Sequence, residues 1–261
     1  MIDLLDFMDA GILCGLLTVY ILLFKKNALR SYSDFLLSAS ILCQIWAVLL
    51  FMFVFSGTIQ QFPYLYRTAA PLTFLVPPLG YVYVRSVLYN EKKWQTYDFL
   101  HLLPFLFFLI NYLPFFLSPL DYKLEIVMKT IQDKNFGIEK QLGFLPESVF
   151  YLFRPIQATL YLIFQWRLIL KFNRNNPNQT ITGQINRVTR WLSIFTLASS
   201  GILISFFIVL ILYFTQENLF TSTELTLIPN TILGISQFVV FTYLLINPQV
   251  LTMMASASAG S

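Results

Sequence analysis

The chain is 261 residues long, 57% hydrophobic and 17% aromatic, with only 11% charged residues. Soluble domains carry about 25% charged residues, so this chain cannot cover a water-facing surface with polar groups. Its mean hydropathy of +0.67 agrees, and what remains is an integral membrane protein. Two cysteines and one histidine are too few for most metalloenzymes and triad hydrolases.

A helix crossing the roughly 30 Å hydrocarbon core needs about 20 mostly apolar residues. Seven stretches meet that demand: Leu4–Phe24, Phe35–Phe55, Ala69–Leu88, Tyr97–Leu117, Ser148–Leu170, Trp191–Phe214 and Leu225–Ile246. The third holds Pro77-Pro78, the fifth holds Arg154, and the seventh carries scattered polar residues. Runs this long and continuous are helical rather than alternating strands. Asp3, Asp6 and Asp9, rather than a basic region, stand at the front of the first run, so no cleavable signal peptide is expected. The expected fold is all-α: one polytopic domain of seven transmembrane helices over residues 1–251.

The loops orient it. With the N-terminus outside, the inner side holds eleven basic residues, among them Lys25, Lys26, Lys92, Lys93, Arg187 and Arg190, against three acids, Asp34, Glu91 and Asp98. The outer side holds five basic residues and the other ten acids. The positive-inside rule then predicts N-out and C-in for seven spans, in an inner (plasma) membrane.

Two loops are more than connectors. In the outer segment 118–147, Leu124, Val127, Met128 and Ile131 recur at helical spacing with Lys123, Glu125 and Lys129 between them. This predicts an amphipathic helix over the outer mouth of the bundle, as an interfacial loop or a ligand lid. The inner segment 172–190 ends in Gln-Ile-Asn-Arg-Val-Thr-Arg, and Ile185, Val188 and Leu192 share a face, so the sixth helix is expected to begin in the cytoplasm. The sequon Asn178-Gln179-Thr180 falls on that inner side, where no glycosylation is expected. Residues 252–261 form a tail whose small residues, from Ala255 on, resemble a linker or cloning scar.

Several membrane chemistries fail by residue count. Lys171 is the last lysine, so the last helix has none for a retinal Schiff base. His101 stands alone, without an H-E-x-x-H partner, and neither G-x-S-x-G nor a phosphate-binding Gly-rich loop occurs. Cys14 and Cys43 fall inside the first two helices and read as buried thiols. Neither a catalytic centre, a metal nor a cofactor is expected.

Arg154 is the charge that topology leaves over. An arginine inside a span costs several kcal/mol unless it is paired or reaches the interface. Glu147 lies two helical turns before it and Tyr151 one turn before it, and Pro155 deprives the Tyr151 carbonyl of its helical donor. Either Arg154 snorkels to the outer headgroups, or it is a cationic anchor in an outward-facing pocket, binding a small acidic ligand or tying helices together. The candidate ligand-binding set is Arg154, Glu147, Tyr151, Gln157, Asn230 and Gln237. Polar residues of this kind also serve as hydrogen-bond partners between helices. Pro77, Pro78, Pro104, Pro114, Pro155 and Pro229 break or kink four helices and make rigid-body gating plausible.

FLVPPLGYVYVRSVL at 74–88, HLLPF at 101–105, the loop end QINRVTRWL and the last-helix end YLLINPQVL occur together in order. In this they resemble the N-terminal membrane domain of bacterial membrane-anchored AraC-type transcriptional regulators. The resemblance spans residues 10 to 251 and implies a sensor that relays a ligand signal to a cytoplasmic helix-turn-helix domain. This chain carries no basic helix-turn-helix pattern after Leu251, so it is not itself the DNA reader. The expected partners are the lipid bilayer, the ligand and, through the missing domain, DNA, with a homodimer left open. The alternatives are a small-solute transporter or channel, against which the lack of an internal repeat counts, and a passive anchor or dimerisation scaffold.

Overall fold

The computed structural model describes residues 4–24, 31–133, 136, 140–175, 183–215 and 222–247. The sequon at 178–180 and everything from Pro248 on lie outside them. The described residues are all-helical, without strands. The elements in order are α1 (Leu4–Phe24), α2 (Tyr32–Ser56), α3 (Ala69–Leu72), α4 (Val76–Tyr89), α5 (Leu103–Asn111), α6 (Leu113–Phe116), α7 (Leu120–Gln132), α8 (Glu147–Asn175), α9 (Gly183–Thr215) and α10 (Ser222–Ile246). Tight 3₁₀ turns at 58–61, 63–65, 73–75 and 96–102 connect or continue them.

Four of these helices are long and apolar enough to cross a membrane: Asp6–Phe24, Tyr32–Ser56, Asn186–Ile208 and Pro229–Ile246. The other three apolar stretches of the sequence take a less regular form, for reasons readable in their residues. Ala69–Tyr89 runs as α3, a 3₁₀ turn and α4, because Pro77 and Pro78 supply no N–H to the preceding turn. The fourth stretch opens as 3₁₀ helix and is cut again before Pro114, which sits in the first turn of α6. α8 is continuous through Pro155 but carries Arg154, Arg167, Lys171 and Arg174.

The helix ends follow local chemistry. Ser31 caps α2 by a reciprocal box: its hydroxyl accepts from the Asp34 N–H at 3.1 Å, and the Asp34 carboxylate accepts from the Ser31 N–H at 3.1 Å. At the other end Gly57 closes α2 with φ +79°, a conformation open to glycine at no steric cost. α9 starts at Gly183, well before the apolar run at Trp191.

Between apolar helices in lipid there is little hydrophobic driving force, so close packing and hydrogen bonds must hold the bundle. α1 packs on α10 and α2, α4 on α2 and α8, and α9 on α8 and α10. The α1–α10 crossing is at backbone distance: a Cβ built on Gly11 would stand 2.4 Å from the Cα of Gly234. Polar groups add ties of their own, from α10 to α2, from α8 to the turn at 73–75 and from α9 to α4. The Gln237 amide donates to Gln44 at 2.5 Å, the Gln157 amide to the Phe74 carbonyl at 3.1 Å, and the Trp191 indole to the Tyr83 hydroxyl at 2.6 Å.

Among the described residues two large apolar cores stack along the bundle, with a smaller cluster around Met8, Val48 and Leu233 beside them. One, around Tyr83, Trp191, Phe195 and Ile169, lies toward the end that carries Arg85, Arg187 and Arg190, here the basic end. The other is aromatic and lies toward the opposite end, under α7. There Phe74 and Phe108 stack with centroids 4.0 Å apart, and Phe150 meets both rings edge-on. α7 rests on this second core through Ile126 and Val127, with Thr130 also buried and Ile131 partly so, while Leu124 and Met128 stay exposed. The packed stripe is thus rotated from the one its apolar spacing predicts, because α7 is seated on α2 and the turns at 58–61 and 63–65.

At the basic end, the turn 96–102 is pinned to α4 by a buried ion network. Asp98 accepts from Arg85 Nη2 at 2.7 Å and from the Gln95 N–H at 2.8 Å. Arg85 Nε also donates to Glu91 at 2.9 Å. His101 Nδ1 lies 2.7 Å from the Tyr161 hydroxyl on α8.

Candidate functional site

Arg154 lies two turns into α8, on the side facing α9. Its guanidinium carbon stands 4.4 Å from the centroid of the Phe206 ring. Among the described residues no carboxylate pairs with it. A cation–π contact is worth about 2 kcal/mol at most when desolvated, less than the several kcal/mol that removing an uncompensated charge from water costs. Phe206 alone does not balance it.

Two cavities meet at this side chain. The larger, about 270 Å³, lies on the α7 side of Arg154. Its apolar wall comes from α2 and the following turn: Leu50, Phe51, Val54, Phe55 and Ile59. Its polar wall comes from Tyr66, Arg67, Thr130, Tyr151, Arg154 and Asn230. The smaller, about 90 Å³, lies toward the basic end, between Val76, Gly80, Leu162, Gln165, Phe195 and Leu203. Ala47, Thr73, Arg154, Phe206 and Leu233 line both, which sets Arg154 at their junction. Pro229 lines the larger and Pro77 and Pro155 the smaller. Each is a residue whose ring replaces a helical donor and loosens the local backbone ladder.

The second arginine on the wall is placed by an unusual backbone. Arg67 has φ +67°, in the left-handed region that costs a non-glycine residue about 1–2 kcal/mol. That conformation, in the short run between the turn at 63–65 and α3, turns its side chain inward to Glu147. Arg67 Nη1 is 3.6 Å from Glu147 Oε2, and the same oxygen accepts from the Tyr112 hydroxyl at 2.8 Å. The guanidinium also lies 5.3 Å from the Tyr66 ring centroid. Arg67 therefore arrives with its counter-charge, whereas Arg154 does not.

Of the six residues singled out in the sequence, the structure gathers Arg154, Tyr151 and Asn230 on the wall of the larger cavity. Glu147, two turns from Arg154 in sequence, is drawn instead into the Arg67–Tyr112 cluster. The Gln157 amide N–H donates to the Phe74 carbonyl, away from both cavities. The Gln237 amide N–H donates to Gln44, beside a cavity of only about 10 Å³.

Arg67 is the site residue that sequence reasoning passes over, since counting it as an outer-loop charge hides that it is only 12% exposed. Its neighbours Tyr64, Tyr66 and Ala69-Ala70, apolar on both sides of a short connector, were the signal available. No three histidine, cysteine or acidic residues cluster as a metal site among the described residues. Set beside protein-family models, curated proteins and solved structures, the chain has no match in any of the three.

Proposed function

We propose that this chain is a sensory membrane module: seven helices, N-terminus outside, with the basic end in the cytoplasm. A ligand in the cavity around Arg154 shifts the proline-bearing helices α8 and α10, and the basic end passes the shift on. The observation that carries the reading is Arg154 itself, a cation without a carboxylate partner among the described residues, at the junction of two cavities. Such a charge calls for a mobile counter-ion that comes and goes. The basic residues Lys92, Lys93, Arg167, Lys171, Arg174, Arg187 and Arg190 share one end of the bundle, which supports the cytoplasmic assignment. The resemblance to the membrane domain of AraC-type regulators supports a DNA-binding domain as the recipient of the signal.

The test fills the cavity without presuming the ligand. Val54→Cys, in a Cys14→Ala/Cys43→Ala background, is modified with N-ethylmaleimide in lipid nanodiscs, and amide hydrogen exchange is compared before and after. Exchange at the basic ends of α9 and α10, around Trp191 and Tyr243–Asn247, is expected to change together with the cavity wall. A change confined to the cavity wall would overturn the coupling.

A further inference from the structure

We propose that the occupant of the larger cavity is a single-chain amphiphile with a carboxylate head, its head on Arg154 and its apolar chain along Leu50, Phe51, Val54 and Phe55. The proposal rests on the sensor reading above and names the chemistry that the site takes.

Three observations meet here. First, the charge is unbalanced by one cation, since Arg67 already has Glu147 at 3.6 Å and Arg154 has no carboxylate among the described residues. The planar guanidinium fork matches a carboxylate through two parallel hydrogen bonds. The Tyr151 side chain lines the same wall, and its hydroxyl can donate to an oxygen that the fork leaves over.

Second, the facing wall is aliphatic and aromatic. A small hydrophilic anion would satisfy Arg154 but would leave that wall against trapped water. An apolar chain removes the mismatch at about 25 cal/mol per Å² of apolar surface covered. Third, the space is limited. At about 270 Å³ it falls just under the roughly 300–1,000 Å³ of typical small-molecule sites, room for one chain and not for a two-chain lipid.

The probe is a photoactivatable diazirine analogue of laurate, crosslinked to the full chain in phosphatidylcholine nanodiscs and mapped by mass spectrometry. Adducts are expected within 47–55 or at 151–154. They should be competed by unlabelled laurate, but only about tenfold or more less well by dodecanol, which lacks the charge, and by butyrate, which lacks the chain. Arg154→Gln should weaken labelling by a similar factor, Arg154→Lys by less, and Val54→Trp should block it while keeping the arginine. Equal labelling of wild type and Arg154→Gln, or equal competition by dodecanol or butyrate, overturns the proposal.

Phosphatidylglycerol nanodiscs separate the two sources of an amphipathic anion. If labelling is lost there and phosphatidylglycerol copurifies with the wild type but not with Arg154→Gln, the occupant is a membrane lipid and the free carboxylate assignment falls. The maleimide experiment remains independent. Coupling without laurate binding sinks the ligand class alone, and laurate binding without coupling sinks the sensor alone.

Discussion

Tyr112 and Arg67 share one oxygen: the Tyr112 hydroxyl donates to Glu147 Oε2 at 2.8 Å, and Arg67 Nη1 approaches the same atom at 3.6 Å. Three segments distant in sequence are thus tied at the rim of the larger cavity: the connector before α3, the end of α5 and the start of α8. All three groups are shielded from solvent, so neither charge can fall back on water.

Removing one partner of this pair should therefore cost more than removing both. Arg67→Met leaves a buried carboxylate and is expected to destabilise by about 3–5 kcal/mol. Arg67→Met/Glu147→Met should recover most of that loss. Denaturant unfolding in detergent micelles checks it, and a double variant no more stable than Arg67→Met would show that the pair does not act as a unit.

Gly234 and Gly201 make a contrasting pair. A methyl group at Gly234 would meet the Phe7 carbonyl oxygen at 2.7 Å, so Gly234→Ala must push two helices apart. The expected loss is about 1–3 kcal/mol. A methyl group at Gly201, inside α9, meets nothing within 4 Å, and Gly201→Ala is expected to gain about 0.4–1 kcal/mol. Thermal melts of the two variants in one detergent should move in opposite directions.

Tyr83→Phe removes the acceptor of the buried Trp191 indole at the heart of the basic-end core. With a desolvated N–H left unsatisfied, the expected cost is about 1–3 kcal/mol. Trp191→Phe in the same background should cost less than it does alone, because the stranded donor is gone. A double-mutant cycle with no coupling between the two would contradict this.

Glu125 on α7 donates nothing and accepts from Lys129 at 2.6 Å. That hydrogen bond, with the charge of Lys129 behind it, holds the Glu125 carboxyl below its ordinary value. The pair's contribution is present above the ordinary carboxylate range and lost as pH falls through the lowered value. NMR titration should find Glu125 rising toward its ordinary value in Lys129→Met, and no change would refute the contact.

A membrane-impermeant maleimide applied to intact cells tests the orientation. With Cys14 and Cys43 replaced by alanine, Lys123→Cys is expected to label and Arg190→Cys to label only after lysis. The opposite pattern would invert the bundle.

Much of the helical character was legible because apolar runs of membrane length have few alternatives, and Leu4–Phe24 reappears as α1 with the same ends. Pro77, Pro78, Pro104 and Pro114 were legible as interruptions, although not the 3₁₀ form taken by 73–75 and 96–102, whereas α8 and α10 run on through Pro155 and Pro229. The site was only partly legible. Arg154 was readable as a misplaced charge from position alone, and Tyr151 from its spacing of one turn. The partner of Glu147 was not legible by the same logic, because helical spacing describes neighbours along α8 and is silent about Arg67, eighty residues upstream in sequence, reaching it through a left-handed connector. Gln157 and Gln237 show the other limit. A glutamine at membrane depth must find a partner, and whether that is a ligand or a neighbouring helix depends on tertiary placement alone.

The glycine contact between α1 and α10 also bears on biosynthesis. Gly11 lies in the first and Gly234 in the last of the described helices, yet each is the other's packing surface. The first of these helices must therefore wait, its glycine face without its partner, until translation has delivered the last of them. Any pause or premature stop before that point leaves a notch open to other helices, so the last described helix works as the seal that closes the newly made bundle.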